Sequence, residues 1–491
     1  MTATNPPSSL PHTLSLLSLL NPPSLSRTWL SAPHPSLPLI ATCSSDRSVR
    51  IYSLTSFTLL STISGGHKRS VRTCAWKPNL KGESVLATGS FDSSVGIWRR
   101  WDGYGAEAEK EGLGFGAMGR DIGDGENSDG SDDEEWKFAI VLDGHDSEVK
   151  SVAYSPSGNL LATSSRDKSI WVWEELPDGD DDGDVNYETI AVLQDHEGDV
   201  KCVAWHPTEE LFASSSYDDT IRLWKEVDND WESVCVLRGH EGTVWMVDWE
   251  DPKIPPPPEI SSHPDLLKKY NSRKESSGPR LLSCSDDLSI RIWHRKPSAS
   301  NTQDPNPFAG GHFPSIIRTS SPEETWVQEA ELPRAHERNI YAVAWSKRTG
   351  RIVSTGSDGR IVVYEEGMKD TTVQDSEQTD SHKPQKHTNG DETENNNGIS
   401  SKSPNPASPM EDIQPEPEPT EPSPDPDPEL DSESSIPTSW HIIAQIEAAH
   451  DVFEVNHVCW ARRADRGKRT ENEEVIVSTG DDGTVKVWVL D

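Results

Sequence analysis

Gly144-His-Asp-Ser-Glu-Val-Lys-Ser-Val-Ala-Tyr-Ser-Pro-Ser-Gly-Asn-Leu-Leu-Ala-Thr-Ser-Ser-Arg-Asp-Lys-Ser-Ile-Trp-Val-Trp-Glu174 is one period of a pattern that runs through the whole chain. Its landmarks are His145, Tyr154 nine residues on, Thr163, Asp167 four residues after that, and Trp173 six residues further. The Asp-to-aromatic spacing recurs at Asp46/Tyr52, Asp92/Trp98, Asp218/Trp224, Asp287/Trp293, Asp358/Tyr364 and Asp482/Trp488, which makes seven units. A Ser or Thr stands four residues before each Asp: Thr42, Thr88, Thr163, Ser214, Ser283, Ser354 and Ser478. Six units also carry an upstream His: His67, His145, His196, His240, His336 and His450. In five of them an aromatic follows nine residues later, at Trp76, Tyr154, Trp205, Trp249 and Trp345; the sixth takes ten, from His450 to Trp460.

One such match carries little weight. Seven in order are the signature of an all-β, seven-bladed WD40 β-propeller. In the fourth unit Val200–Trp205, Leu211–Ser215, Thr220–Trp224 and Ser233–Leu237 read as strands, with Tyr217, Asp218 and Asp219 as a turn. The spacing lets His, Ser/Thr, Asp and Trp join in one hydrogen-bond chain inside each blade, so Asp92, Asp167, Asp218, Asp287, Asp358 and Asp482 and the six histidines are read as structural. A catalytic reading of the same residues would need six copies of one site. The first unit lacks the His, with Leu20 near its expected place, and the first and sixth units end in Tyr, which lacks the indole donor; these blades are expected to be less tightly tied.

The last unit stops three residues past Trp488. The strand-like run Leu14–Leu20 is expected to supply its missing outer strand, so that a single propeller spans 10–491 and leaves few sheet edges. That run is too short for a secretory core and no Lys or Arg precedes it. No stretch reaches transmembrane length.

Four inserts, 101–135, 252–279, 296–325 and 367–435, account for the length beyond about 47 residues per blade. The net charge of −37 is concentrated. Residues 101–135 hold 12 acids and 2 bases, 174–188 hold 8 acids and no base, and 367–435 hold 17 acids and 4 bases. Such runs are expected to be solvated and disordered, with 415–428 extended by its alternating prolines, and the propeller body is only mildly acidic. The six cysteines, 43, 74, 202, 235, 284 and 459, stand apart, with no CxxC pair, which fits reduced thiols in a cytosolic or nuclear protein. No HExxH, Walker A or GxSxG motif occurs, and no catalytic, cofactor or metal-binding residue is assigned.

Two positions per blade are expected on one rim: the residue before the turn Asp and the residue five past the His. They give Arg72, Phe91, Lys150, Arg166, Lys201, Tyr217, Trp245 and Tyr341, a basic and aromatic patch of the residue types that carry interface energy. A few cations against this net charge make a weak nucleic-acid footprint.

The 144–174 run resembles the third blade of the cytosolic iron–sulfur assembly WD40 family. So does Ser214-Ser-Ser-Tyr-Asp-Asp-Thr-Ile-Arg-Leu-Trp224, followed by Asp230-Trp231 and Gly239-His-Glu-Gly-Thr-Val-Trp245. The likeness covers all seven blades and is strongest in three to five. The acidic inserts depart from the compact family pattern and look like fungal elaborations. The resemblance implies a non-catalytic scaffold of the cytosolic iron–sulfur targeting complex. Its partners would be a small assembly subunit, a large HEAT-repeat scaffold and iron–sulfur apoproteins of cytosol and nucleus, with no membrane and no direct nucleic acid. It also implies that the exposed Arg of Ser-Arg-Asp-Lys, here Arg166, matters for function. The competing class is a general propeller adaptor, such as a ubiquitin-ligase receptor or a reader of chromatin peptides.

Overall fold

The computed structural model describes residues 10–101, 135–176, 186–297, 324–369 and 438–491. The repeats fold as seven four-stranded antiparallel sheets among the described residues, the seventh repeat supplying three of its four strands. In the fourth blade the strands are Val200–Trp205, Leu211–Ser216, Ile221–Val227 and Asp230–Leu237. The second strand is buried along its whole length in six-residue runs such as Leu211–Ser216, because blades pack on both of its faces. The outermost strand alternates between exposed and half-buried, as in Asn186–Leu193. Val, Ile and Leu fill the layers between blades, and each hydrophobic cluster takes side chains from two neighbouring sheets, as where Leu223 and Trp249 share one.

Leu14–Leu19 pairs antiparallel with Val485–Leu490, with Leu14 opposite Leu490 and Leu16 opposite Trp488. The first strand of the chain is thus the outer strand of the blade that the chain finishes last. Leu20 is buried at the end of this strand, among side chains of the first and last blades.

In four blades the Trp nine or ten residues past the His also bonds the preceding blade, whereas Trp345 donates to Gly350 O and Tyr154 meets Tyr187, each within its own blade. Trp76 Nε1 donates to Ala32 O, Trp205 to Ala153 O and Trp249 to Ala204 O, each at 2.9 Å, and Trp460 to Ala344 O at 3.2 Å. Each acceptor lies on the innermost strand of the preceding blade. A buried indole N–H needs a partner, so this landmark fixes blade spacing as well as packing.

The insert read as a loop at 252–279 holds two helices, Pro258–Ser261 and Pro264–Ser277. Pro264 opens the second where no N–H is needed, and Gly278 ends it at φ 71. Its own Tyr270 is buried, and its Arg273 pairs with Glu329 at 2.9 Å. Arg280, just beyond, is buried among Glu250 (3.0 Å), Glu366 (2.8 Å) and Glu329 (3.2 Å), and its guanidinium lies 5.1 Å from the Trp345 ring. This cluster ties blade five to blade six. The disorder expected for the acidic runs concerns 102–134, 177–185 and 370–435, which lie outside the described residues, as does most of 296–325.

Candidate partner-binding surface

The intrablade hydrogen-bond chains hold the rim in place. In blade three His145 Nδ1 lies 2.9 Å from Asp167 Oδ2, His145 Nε2 lies 2.9 Å from Thr163 Oγ1, and Trp173 Nε1 donates to the same hydroxyl at 3.0 Å. Blades four and five repeat this with His196, Ser214, Asp218 and Trp224, and with His240, Ser283, Asp287 and Trp293, all between 2.7 and 2.9 Å. Blade seven does so with His450, Ser478, Asp482 and Trp488. Blade two is looser at one joint: His67 Nδ1 is 3.4 Å from Asp92 and 3.2 Å from Ser94 Oγ. In blade six His336 keeps Asp358 and Ser354, while Tyr364 reaches Ser354 only at 3.5 Å. Burial alone would raise the carboxyls of Asp92, Asp167, Asp218 and Asp287. The bonds from His, from the Ser or Thr hydroxyl and from backbone N–H groups outweigh it and hold them well below the usual range.

Blade one differs. The His position falls on Ser24, which is 22 residues before Asp46 as His145 is before Asp167, and not on Leu20. Ser24 is buried and bonds Ser44 Oγ at 2.9 Å. Asp46 is served instead by Arg50 at 2.6 Å and Ser48. Tyr52 turns its hydroxyl to Pro22 O at 2.8 Å.

The second residue of the innermost strand, five past the His in blades two to six and six past it in blade seven, has a special register. Pairing of the innermost strand with its neighbour slips by one residue at this place in all seven blades. The skipped residues are Trp29, Arg72, Lys150, Lys201, Trp245, Tyr341 and Asn456. A β-bulge leaves its extra residue out of the ladder and re-aims the side chain. All of these but Trp29 line one cavity of about 460 Å³ at the centre of the ring. Trp29 was missed by sequence reading because its unit has no His to count from; Asp46 less 22, plus five, would have found it. The residue before each turn Asp is anchored as well. Its N–H bonds the loop ahead of the innermost strand, as in Arg166 N to Glu148 O at 3.0 Å, Tyr217 N to Asp199 O at 2.9 Å and Phe91 N to Ser70 O at 2.9 Å.

These side chains form a run of cation–ring contacts around the mouth. Arg72 lies 5.2 Å from the Trp29 ring, Lys150 4.9 Å from Phe91, and Lys201 5.3 Å from Tyr217 and 5.0 Å from Trp245. Trp245 meets Tyr341 edge-on at 5.1 Å. Most cations already hold a carboxylate. Lys150 bonds Glu148 at 2.6 Å, Lys201 bonds Asp199 at 3.2 Å, and Arg166 lies 3.8 Å from Glu148 with its side chain 58% exposed. Arg72 has no ion pair among the described residues, and burial lowers its pKa. Lys150 is lowered first by burial, against Glu148, with Arg72 and Lys201 adding repulsion. Arg166 and Tyr217 are the exposed members of this set, while Arg72, Lys150 and Lys201 sit deeper.

The six cysteines are free thiols, four of them buried. Burial pushes Cys202 up to about 11 and Cys459 up to about 12. The fold does bring Cys43 and Cys74, far apart in sequence, into side-chain contact, which their spacing did not reveal. No set of three or more His, Cys, Asp or Glu among the described residues is arranged to hold a metal ion.

The family model "WD domain, G-beta repeat" matches residues 28–53, 57–99, 136–174, 187–225, 327–365 and 444–489. Full-length relatives are more specific. "Probable cytosolic iron-sulfur protein assembly protein 1" of Neosartorya fischeri is 53% identical over 498 residues, covering 97% of this chain and 98% of that protein. Proteins of the same name from Aspergillus flavus and Emericella nidulans are each 52% identical, covering 97% and 100% of this chain and 98% and 99% of their own lengths. With that identity over nearly the full length of both proteins, the chain belongs to the cytosolic iron–sulfur protein assembly protein 1 family of WD40 propellers.

Proposed function

We propose that this chain is a non-catalytic scaffold of cytosolic iron–sulfur protein assembly, working in the cytoplasm with a nuclear pool. It acts within a targeting complex that passes clusters to apoproteins. The observation that carries the reading is end-to-end identity above one half to a protein named for that assembly. The propeller supplies what a scaffold needs: a rigid ring with side chains at fixed places on one rim. The cluster is cargo, and this chain's part is to hold partners. Its partners in this reading are a small assembly subunit, a HEAT-repeat scaffold and the apoprotein clients. Arg166, Tyr217 and Phe91 with the deeper Arg72, Lys150, Lys201, Trp245 and Tyr341 make the contact surface, and Arg166 is the member best placed to exchange Glu148 for a partner's carboxylate.

Affinity purification of the tagged chain from its host, paired with its depletion, tests this. Iron–sulfur assembly subunits should co-purify, and depletion should lower cytosolic and nuclear iron–sulfur enzyme activities while sparing mitochondrial ones. Recovery of ubiquitin-ligase or histone-binding subunits, with those activities unchanged, would overturn it.

A further inference from the structure

The loop between the His and the innermost strand is polar and three residues long in blades two to six, as in His145-Asp-Ser-Glu-Val149 and His240-Glu-Gly-Thr-Val244. In blade seven it is one residue longer and reads His450-Asp-Val-Phe-Glu-Val455. The added length displays two adjacent apolar side chains, Val452 at 93% exposure and Phe453 at 46%. The turn that carries them is fixed. Asp451 N bonds Ala448 O and Phe453 N bonds His450 O, both at 3.0 Å, and Ala449 N bonds Gly359 O of blade six at 2.9 Å. Ala448 and Asp451 sit at φ 50 and 56, in the left-handed region that residues with a Cβ enter at a cost. A third apolar side chain stands across the neighbouring turn. Leu25 is 96% exposed, and its neighbour Ser24 packs its carbonyl against Gly483 of blade seven.

Single exposed apolar residues are ordinary, but a strained turn that holds two of them out to water, with a third nearby, is not. The electrostatic surroundings differ from the Arg166 side of the ring. Glu337 and Glu447 are exposed carboxylates that share Arg360 at 2.7 and 3.2 Å. Asp451 flanks the pair, its carboxylate without a hydrogen bond or ion pair among the described residues, and Glu454, just after Phe453, accepts from Tyr341 OH at 3.3 Å. That last bond makes the patch continuous with the aromatic edge of the central cavity.

We infer that the blade-seven rim, Val452 and Phe453 with Leu25, is a second docking surface, and that its occupant is a partner segment with an apolar anchor flanked by Lys or Arg. Apolar side chains supply the contact area, and the acidic surround selects the sign of the partner. The two halves of the face then take segments of opposite charge, which sets the order in which partners sit around the ring.

The probe is a fluorescein-labelled synthetic peptide with two Lys on each side of Leu-Leu-Phe, and a twin with Glu in place of Lys, titrated with the full-length chain at low salt. The basic peptide should bind saturably and at least tenfold more tightly than the twin. Val452→Asn with Phe453→Ser should weaken it at least fivefold, and so should Glu447→Lys, which leaves the turn intact; Arg166→Glu should not. Binding that these variants leave unchanged would assign the peptide to acidic segments elsewhere and overturn the inference. So would an absence of saturable binding, a preference for the acidic twin, or self-association of the chain abolished by Phe453→Ser.

Discussion

At the residue scale, the neighbours Arg166 and Asp167 separate function from folding. Arg166 is mostly exposed and holds Glu148 only loosely, so Arg166→Glu should shift stability by less than about 0.5 kcal/mol. It should weaken capture of targeting-complex subunits or clients; wild-type capture and client maturation would remove Arg166 from the rim assignment. Asp167 accepts from His145, from Ser169 through both N–H and hydroxyl, and from Asp146 N. Asp167→Ala should therefore cost about 2–3 kcal/mol in urea unfolding. The same carboxylates set the acid limit. Their folded pKa values lie below the unfolded Asp value near 3.9, so their stabilisation is complete above about pH 4 and drains away as pH falls below it. Asp167→Asn should make the fall in unfolding free energy between pH 4 and 2 shallower by up to about 1.4 kcal/mol per pH unit, and an unchanged slope would mean the pair does not carry it. Sequence spacing alone found these chains because a fixed count between partners is what a repeated hydrogen-bond network imposes. It failed at Ser24, where the count holds but the residue type changes.

At the scale of elements, strands were legible and the helix was not. Alternation and turn residues marked the strands of blade four to within three residues at every end, four of the eight ends without offset. The 252–279 insert has four consecutive prolines at 255–258 and carries scattered charges, which read as loop. The helix Pro264–Ser277 persists because Tyr270 and the Arg280 cluster anchor it, and no local pattern records those distant partners. Arg280→Met should leave Glu250 and Glu366 buried without their cation and cost about 3–5 kcal/mol in denaturant unfolding. A near-neutral result would mean that the two carboxylates take up protons at little cost. The first strand gives a second case. Deleting residues 1–20 removes Leu14–Leu19 from the edge of Val485–Leu490 and takes buried Leu20 with it. Leu20→Ala alone should cost about 2–5 kcal/mol, and the deletion more, read as a lower melting temperature. A truncated chain that melts with the full one would show that the ring does not depend on this strand.

At the scale of the whole molecule, ring closure explains why long inserts are tolerated: they leave and re-enter the propeller at paired strand ends. The largest insert shows this most clearly. Ile361–Met368 and Thr438–Ile446 are hydrogen-bonded neighbours in blade six, with Met368 directly opposite Thr438. Residues opposite each other across an antiparallel pair lie about 4.5–5.5 Å apart, a gap that a two-residue turn spans. Replacing 369–437 by Asn-Gly should thus keep the strand register and the contacts of Trp440 with Trp345. Closing a shorter loop also costs the folded state slightly less entropy, by about (3/2)RT per natural-log unit of length. The melting temperature of the shortened chain should match or slightly exceed that of the full chain, while the formal charge becomes much less negative, since 367–435 alone hold 17 acids against 4 bases. Two readouts then divide the roles of body and insert. Thermal unfolding by circular dichroism reports whether the propeller is self-sufficient, and capture of assembly partners reports whether the rim is. A drop of more than about 5 °C, of the order expected for 1 kcal/mol or more, would show that the insert contributes to the fold of blade six. An unchanged melting temperature with lost capture would instead place a partner contact in the insert itself.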